Sequence, residues 1–295
     1  MQNNASRYVP ILSGLIISLS LSVLLINSYF FKFPGNNYFP EDTPLLALIL
    51  FINYLGLIVF FGTNTRASNS GKELLYFFGV MCLIALATNA VQLTPFPPID
   101  VYIVRFESKL NINMVRILEW TNTYPWFKYL LNVIYSSIHY QMSIIPLLII
   151  ATGRFYLLRD YYFLLLVTAI IGFAFYYFFP TTAPASIISS SLFSPEQIAT
   201  GYKFNQIHSY INPTTNEGGL IALPSFHTVW ALFCVYLLKE WIIPCIILLV
   251  INVLLITSCV LLGWHYPIDI LGGFILAAGG YYLLSLTKSR PAKSQ

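Results

Sequence analysis

The chain has 295 residues, of which 57% are hydrophobic and only 9% charged, with a mean hydropathy of +0.73. Such a composition excludes an ordinary soluble globular domain and points to a polytopic membrane protein. A net charge of +4 would suggest anionic partners in a soluble protein; here it mainly reports topology, and no nucleic-acid partner is expected.

Crossing the hydrocarbon as helix takes roughly 17 to 25 apolar residues. Windows of this kind cover 9–31, 44–61, 74–93, 129–152, 161–179, 223–238, 242–262 and 267–286, the sixth being the shortest. They predict an all-α, polytopic transmembrane helical bundle of about eight spans. The first window is too long for a signal-peptide core and no small-residue cleavage site closes it, so it is expected to remain as a helix. Cys82, Cys234, Cys245 and Cys259 all fall inside apolar segments without metal-ligand spacing, and read as small packing residues.

With the N-terminus inside, the inner loops hold Arg7, Arg66, Lys72, Arg154, Arg159, Lys239, Lys288, Arg290 and Lys293. The outer loops hold Lys32, Arg105, Lys109, Arg116, Lys128 and Lys203. Nine against six places both termini in the cytoplasm. A compact chain without long soluble domains then suggests a bacterial inner membrane, with the outer ends of the spans facing the periplasm.

Two long polar connections interrupt the spans. In 94–128, Val104, Leu110, Val115, Ile117 and Leu118 among scattered charges predict a helix lying along the interface. The connection 180–222 is rich in turn formers, among them Pro180, Ser189, Ser190, Ser191, Asn212, Pro213 and Gly219. The aromatic run Phe175, Tyr176, Tyr177, Phe178 and Phe179 suits an interfacial belt or core packing, and could also cradle acyl chains.

The topology gathers three polar clusters on the outer face. Pro224, Ser225, Phe226 and His227 start the sixth span, placing a proline and a hydroxyl at a helix N-terminus, where unpaired N–H groups and the dipole favour an anion. His227 there could donate a proton to a departing oxygen, or could simply be solvated at the interface. Gly263 to Asp269 read Gly-Trp-His-Tyr-Pro-Ile-Asp, with His265 and Asp269 four residues apart. The carboxylate can lie beside one imidazole nitrogen and leave the other free to attack an electrophile. The same pair could also serve only the helix dipole. The third cluster, 180–185, closes the fifth span.

Pro-Ser-Phe-His followed some forty residues later by His-Tyr-Pro-Ile-Asp resembles the second and third signatures of the type-2 phosphatidic acid phosphatase superfamily, which includes vanadium haloperoxidases. Tyr135-Ser-Ser-Ile-His139 and Phe179-Pro-Thr-Thr-Ala-Pro184 look like the branch containing fungal inositol phosphorylceramide synthase. The resemblance covers roughly 125–285. It implies two extra N-terminal helices over 1–72, a catalytic domain with a six-helix core over 73–287, and a short basic tail over 288–295. It further implies that His265 attacks phosphorus, Asp269 orients it, and His227 protonates the leaving group. Ser225, with nearby amides, would hold phosphate oxygens of a phospholipid or sphingolipid substrate; no metal or cofactor is implied.

The departures bear on the substrate. The signatures carry an arginine where this chain has Cys259, and a lysine and an Arg-Pro where it has Thr181, Thr182, Ala183 and Pro184. Preorganised positive charge is the main catalytic resource in phosphoryl transfer, so its loss favours a singly charged phosphodiester over a dianionic monoester. Lys203, His139, Thr181, Thr182, Ser225 and Tyr266 are the candidate substrate-binding groups. Head-group transfer or diester cleavage leads, with a lipid phosphate phosphatase next, and a transporter or assembly protein as the reading from another class.

Overall fold

A computed structural model describes residues 5–288, which form eleven α-helices and no strand. In chain order these are α1 (Ala5–Ile26, prolonged by a π-turn, Asn27–Phe31), α2 (Thr43–Phe61), α3 (Arg66–Val91), α4 (Asp100–Lys109), α5 (Met114–Asn122) and α6 (Pro125–Thr152). There follow α7 (Phe155–Phe178), α8 (Pro195–His208), α9 (Phe226–Leu237), α10 (Ile242–Leu261) and α11 (Pro267–Lys288).

Seven of these helices, all but α4, α5, α8 and α9, are long and apolar enough to cross a membrane. The remaining expected span, α9, has only 12 residues, about 18 Å of rise against a core of about 30 Å. Its start is set by Pro224, which has no N–H to give, and by Ser225, whose extended backbone and side chain cap the helix by accepting the Thr228 N–H at 3.4 Å. His227 therefore sits in the first turn of α9.

The connections are more ordered than composition suggests. The single interfacial helix expected in 94–128 is two helices, α4 and α5, divided at Leu110–Asn113, where Asn111 takes a positive φ of 59°. The connection 180–222 contains α8, 14 residues opened by a capping box in which Ser194 accepts the Gln197 N–H and Gln197 accepts the Ser194 N–H. Pro195 at its first position removes a donor that would lack a partner in any case.

At the centre stands α7, buried along most of its length and packed against α1, α3, α6, α9 and α11. By contrast, α2 buries none of its residues and leans on α3 alone among the helices it contacts closely. Ionic contacts collect at one end of the bundle: Arg154 with Glu240 at 2.8 Å, Arg159 with Glu73 at 3.4 Å, and Lys288 with Asp160. Lys288, read as the first residue of a basic tail, is thus the last residue of α11 and is ion-paired; 289–295 lie outside the described residues.

At the other end, the absence of side chains lets backbones meet. A Cβ on Gly273 of α11 would fall 2.6 Å from the Ser225 carbonyl oxygen, and one on Gly272 would fall 2.6 Å from Leu223. A Cβ on Gly172 of α7 would fall 2.6 Å from the Phe226 ring. The start of α9 is thereby wedged against α7 and α11. Gly273→Ala is expected to cost about 1–3 kcal/mol and to lower the unfolding temperature in detergent. Gly79→Ala, whose added Cβ meets nothing within 4 Å, should leave that temperature unchanged or raise it; a thermal melt of both variants checks the contrast.

Candidate active site

The wedge brings the two histidine motifs together. After α10, Gly263 turns the chain with φ +84°, and the N–H groups of Trp264 and His265 both donate to the Cys259 carbonyl at 2.9 Å. This turn presents His265 at the mouth of α11. His265 Nδ1 lies 3.2 Å from Asp269 Oδ2, which also accepts the Tyr266 N–H at 2.9 Å. A carboxylate oxygen can only accept, so this contact assigns the proton to His265 Nδ1 and leaves Nε2 with its lone pair.

That Nε2 faces the start of α9, 3.3 Å from His227 Nδ1 and 3.5 Å from Ser225 Oγ. The Ser225 N–H donates to the Asp269 carbonyl at 3.0 Å, joining the two helix starts through the backbone. Next along α9, the first-turn N–H groups of Phe226 and His227 have no intrahelical acceptor. A lone pair, a second imidazole, a hydroxyl and a helix N-terminus thus converge on one point, an arrangement able to attack, protonate and hold a phosphoryl group.

An aromatic stack supports His227. Its ring lies 4.7 Å from Tyr135 of α6 at 22°, and Tyr135 lies 5.2 Å from Trp264 at 9°. Two spaces open here. A recess of about 30 Å³ touches His265, His227, Tyr135 and Trp264. Beyond it, a cavity of about 490 Å³ is lined by His227 and His139, with Lys128, Glu196 and Glu217 also on its wall.

The other expected residues sit elsewhere. Thr181 is fully buried and its Oγ1 accepts the Leu223 N–H at 2.7 Å. Thr182 gives its N–H to Asp100 Oδ2 at 2.8 Å and its hydroxyl to the same oxygen at 3.2 Å. Both threonines brace the loops around the site and line neither space. Lys203 is buried, donates to the Asn216 carbonyl at 3.4 Å and lies 5.9 Å over the Tyr38 ring; burial pulls its ammonium down to about 8, against the opposing charge of Glu217. Tyr266 is fully buried among Ile103 and Met114, and burial, with Asp100 nearby, pushes its hydroxyl well above the usual range. At the position of the expected arginine, Cys259 is buried and its thiol donates to the Leu255 carbonyl at 3.4 Å.

Two acids on α4 were not anticipated. Asp100 and Glu107 are both buried, and Glu107 Oε1 accepts the Ile268 N–H at 3.1 Å, capping α11 just ahead of Asp269. Their signal was the spacing of Asp100, Ile103 and Glu107, which puts all three on one helical face. Burial pushes Asp100 up to about 6 and Glu107 up to about 7; a backbone N–H opposes the shift in each, while the Asp269 carboxylate adds to it. No group of three or more His, Cys, Asp or Glu side chains able to hold a metal occurs among the described residues.

A bundle of membrane-spanning helices with paired histidines at one end defines a class of integral membrane protein built for phosphoryl chemistry. Residues 101–283, more than half of the chain, match the PAP2 superfamily, and the protein belongs to it. Membership makes it an enzyme of the phosphatase or phosphotransferase type, acting on phosphate esters. Comparison with curated proteins gives no match, and comparison with solved structures gives none either.

The sign of the α4 shift sets a pH dependence. A carboxyl raised from about 4.5 to about 7 binds its proton more tightly folded than unfolded. Its contribution to stability is complete below about pH 4.5 and is lost as pH rises through about 7. The wild-type unfolding temperature in detergent should therefore carry a declining component across that window, and Glu107→Gln should flatten it. An unchanged slope in the variant would assign the titration to another group.

Proposed function

We propose that the protein is a lipid phosphotransferase or phosphodiesterase working through a phosphohistidine on His265. The observation that carries this reading is the meeting of His265 Nε2, oriented through Nδ1 by Asp269 at 3.2 Å, with His227 at 3.3 Å. In the reaction, the phosphoryl group of the donor enters between the two rings and replaces their contact. His265 Nε2 bonds to phosphorus as the ester oxygen of the donor leaves, and that oxygen takes a proton from His227. An acceptor hydroxyl then gives its proton to His227 and attacks phosphorus, breaking the P–N bond and restoring His265. Asp269 stabilises the positive charge carried by His265 in between.

The charge around the cavity supports a phosphodiester donor. One ammonium, Lys128, faces two carboxylates, Glu196 and Glu217, on the wall, and the expected arginine position holds a packed thiol. A dianionic monoester would find little compensation there, whereas a phosphodiester carries a single charge and brings a polar head group that the carboxylates can hydrogen-bond. Tyr135 and His139, from the motif that looks like the inositolphosphotransferase branch, both line this cavity. The lysine and arginine distribution supports a site facing outward, with the termini on the cytoplasmic side.

Phosphatase action is the second reading, favoured by the 30 Å³ recess beside His265, which has room for a water molecule. Water in that recess would take the place of the acceptor alcohol. Incubating the purified protein in liposomes with isotopically labelled phosphodiester lipids or phosphatidic acid, with and without candidate alcohols, separates the readings by mass spectrometry: a new head-group ester means transfer, a released phosphomonoester means diester cleavage, and free inorganic phosphate means phosphatase action. His265→Ala should reduce turnover to background, and His227→Ala by about 10²- to 10⁴-fold, with folding retained; undiminished turnover in His265→Ala would refute the phosphohistidine. Lys128→Ala should raise KM for an anionic donor severalfold while changing kcat less, since the cavity wall contacts the bound head group in both ground and transition states.

A further inference from the structure

The end of the bundle opposite the histidines carries a second cavity. Thr94, just after α3, donates to the Tyr177 carbonyl near the end of α7, and Ile99 donates to Pro180 at 2.8 Å. The C-terminal ends of α3 and α7 are therefore on the histidine side, and Lys72 and Arg159, near their N-terminal ends, are on the far side. There α1, α3 and α7 leave a cavity of about 590 Å³, with Ser13, Lys72 and Arg159 among its polar lining groups and Gly79, Val80 and Leu83 deeper along α3.

Its chemistry is graded along α3. From Lys72 to Leu83 the helix rises roughly 16 Å, close to half of the ~30 Å hydrocarbon core. A cationic rim thus passes into an apolar wall over about the length of one leaflet. Lys72 lies 5.5 Å over the Tyr76 ring and forms no ion pair among the described residues. Arg159 reaches Glu73 at 3.4 Å with its side chain 44% exposed. Two cations against one carboxylate leave the rim positive, at an end where Arg66 and Lys239 also lie and where Arg154 and Lys288 are paired with Glu240 and Asp160.

We propose that this cavity binds one anionic phospholipid, its phosphate between Lys72 and Arg159 and an acyl chain along Val80 and Leu83. Basic pockets between membrane helices suit anionic head groups, because the leaflet charge and the buried chain act together. The lipid would fasten α1, which lies ahead of the segment matched to the superfamily, onto α3 and α7. This inference is independent of the catalytic reading, since the cavity is formed at the other end of the helices.

Native mass spectrometry of the full chain released from detergent tests it, with phosphatidylglycerol, phosphatidylcholine of the same chains, or inorganic phosphate added. A one-to-one phosphatidylglycerol adduct is expected, exceeding that of phosphatidylcholine about tenfold, a difference of about 1.4 kcal/mol. Lys72→Ala should reduce it about as much. Gly79→Leu should reduce it severalfold by placing a side chain in the path of the acyl chain, since an added Cβ at Gly79 has open space around it; a thermal melt confirms that the variant is folded. An equal adduct in Gly79→Leu, equal retention of the two lipids, or saturation by inorganic phosphate alone would each overturn the proposal.

Discussion

The site depends on one backbone contact, the seating of the start of α9 against the first turns of α11. Gly272 and Gly273 allow it, since side chains at either position would strike Leu223 or the Ser225 carbonyl. The Ser225 N–H then bonds to the Asp269 carbonyl. The arrangement of the histidine end follows from this junction, because Ser225 and His227 travel with α9 while His265 and Asp269 travel with α11. The two histidines are 38 residues apart, yet their separation is fixed by a contact to which α11 brings bare backbone at Gly272 and Gly273. Such a contact is stiff: close-packed backbones have few alternative arrangements, whereas long side chains would leave the rings free to drift.

The second support comes from α4, which acts as a clamp on both sides of the junction. Glu107 caps the start of α11 through Ile268, and Asp100 fixes the loop after α7 through Thr182. The Thr181 hydroxyl in turn anchors Leu223, immediately before Pro224. Acids placed here carry an electrostatic consequence. Asp100, Glu107 and Asp269 are all buried near the same helix start, so ionising all three together is unfavourable. Keeping Asp269 charged as the partner of His265 is easiest while Asp100 and Glu107 hold their protons, the direction in which both are shifted. In the proposed reaction this lessens the carboxylate repulsion around Asp269 where positive charge develops.

The sequence made the helical bundle legible because hydrocarbon thickness imposes a length on apolar runs, and every predicted window contains a helix. The His265 and Asp269 pair was legible for the similar reason that four residues make one helical turn. What it could not show was which polar side chains turn toward the loops. Thr181, Thr182 and Lys203 satisfy backbone or carboxylate partners inside the protein, and that accounting depends on tertiary neighbours rather than on residue type. Conversely, Lys128 reads as one loop cation among several, and only the packing of α5, α6 and α8 puts it on the cavity wall. The Ser194 capping box of α8 was readable in principle, but the surrounding turn formers masked it.

The stack of Trp264, Tyr135 and His227 bears on how one imidazole could serve both halves of a transfer. In the proposed reaction His227 gives up a proton to the donor's leaving oxygen and regains one from the acceptor, so its ring alternates between neutral and cationic forms without moving away. A flat aromatic face at 4.7 Å holds either form: it packs against the neutral ring and attracts the imidazolium through its quadrupole, by about 0.5–2 kcal/mol. A carboxylate in the same place would bind the cation so strongly that returning the proton became costly. It would also compete with Asp269, whose value to His265 lies in being the carboxylate of the pair. Support by an aromatic ring for the proposed proton donor and by a carboxylate for the proposed nucleophile separates the two imidazoles chemically, although their nitrogens lie only 3.3 Å apart and nothing in their residue type distinguishes them.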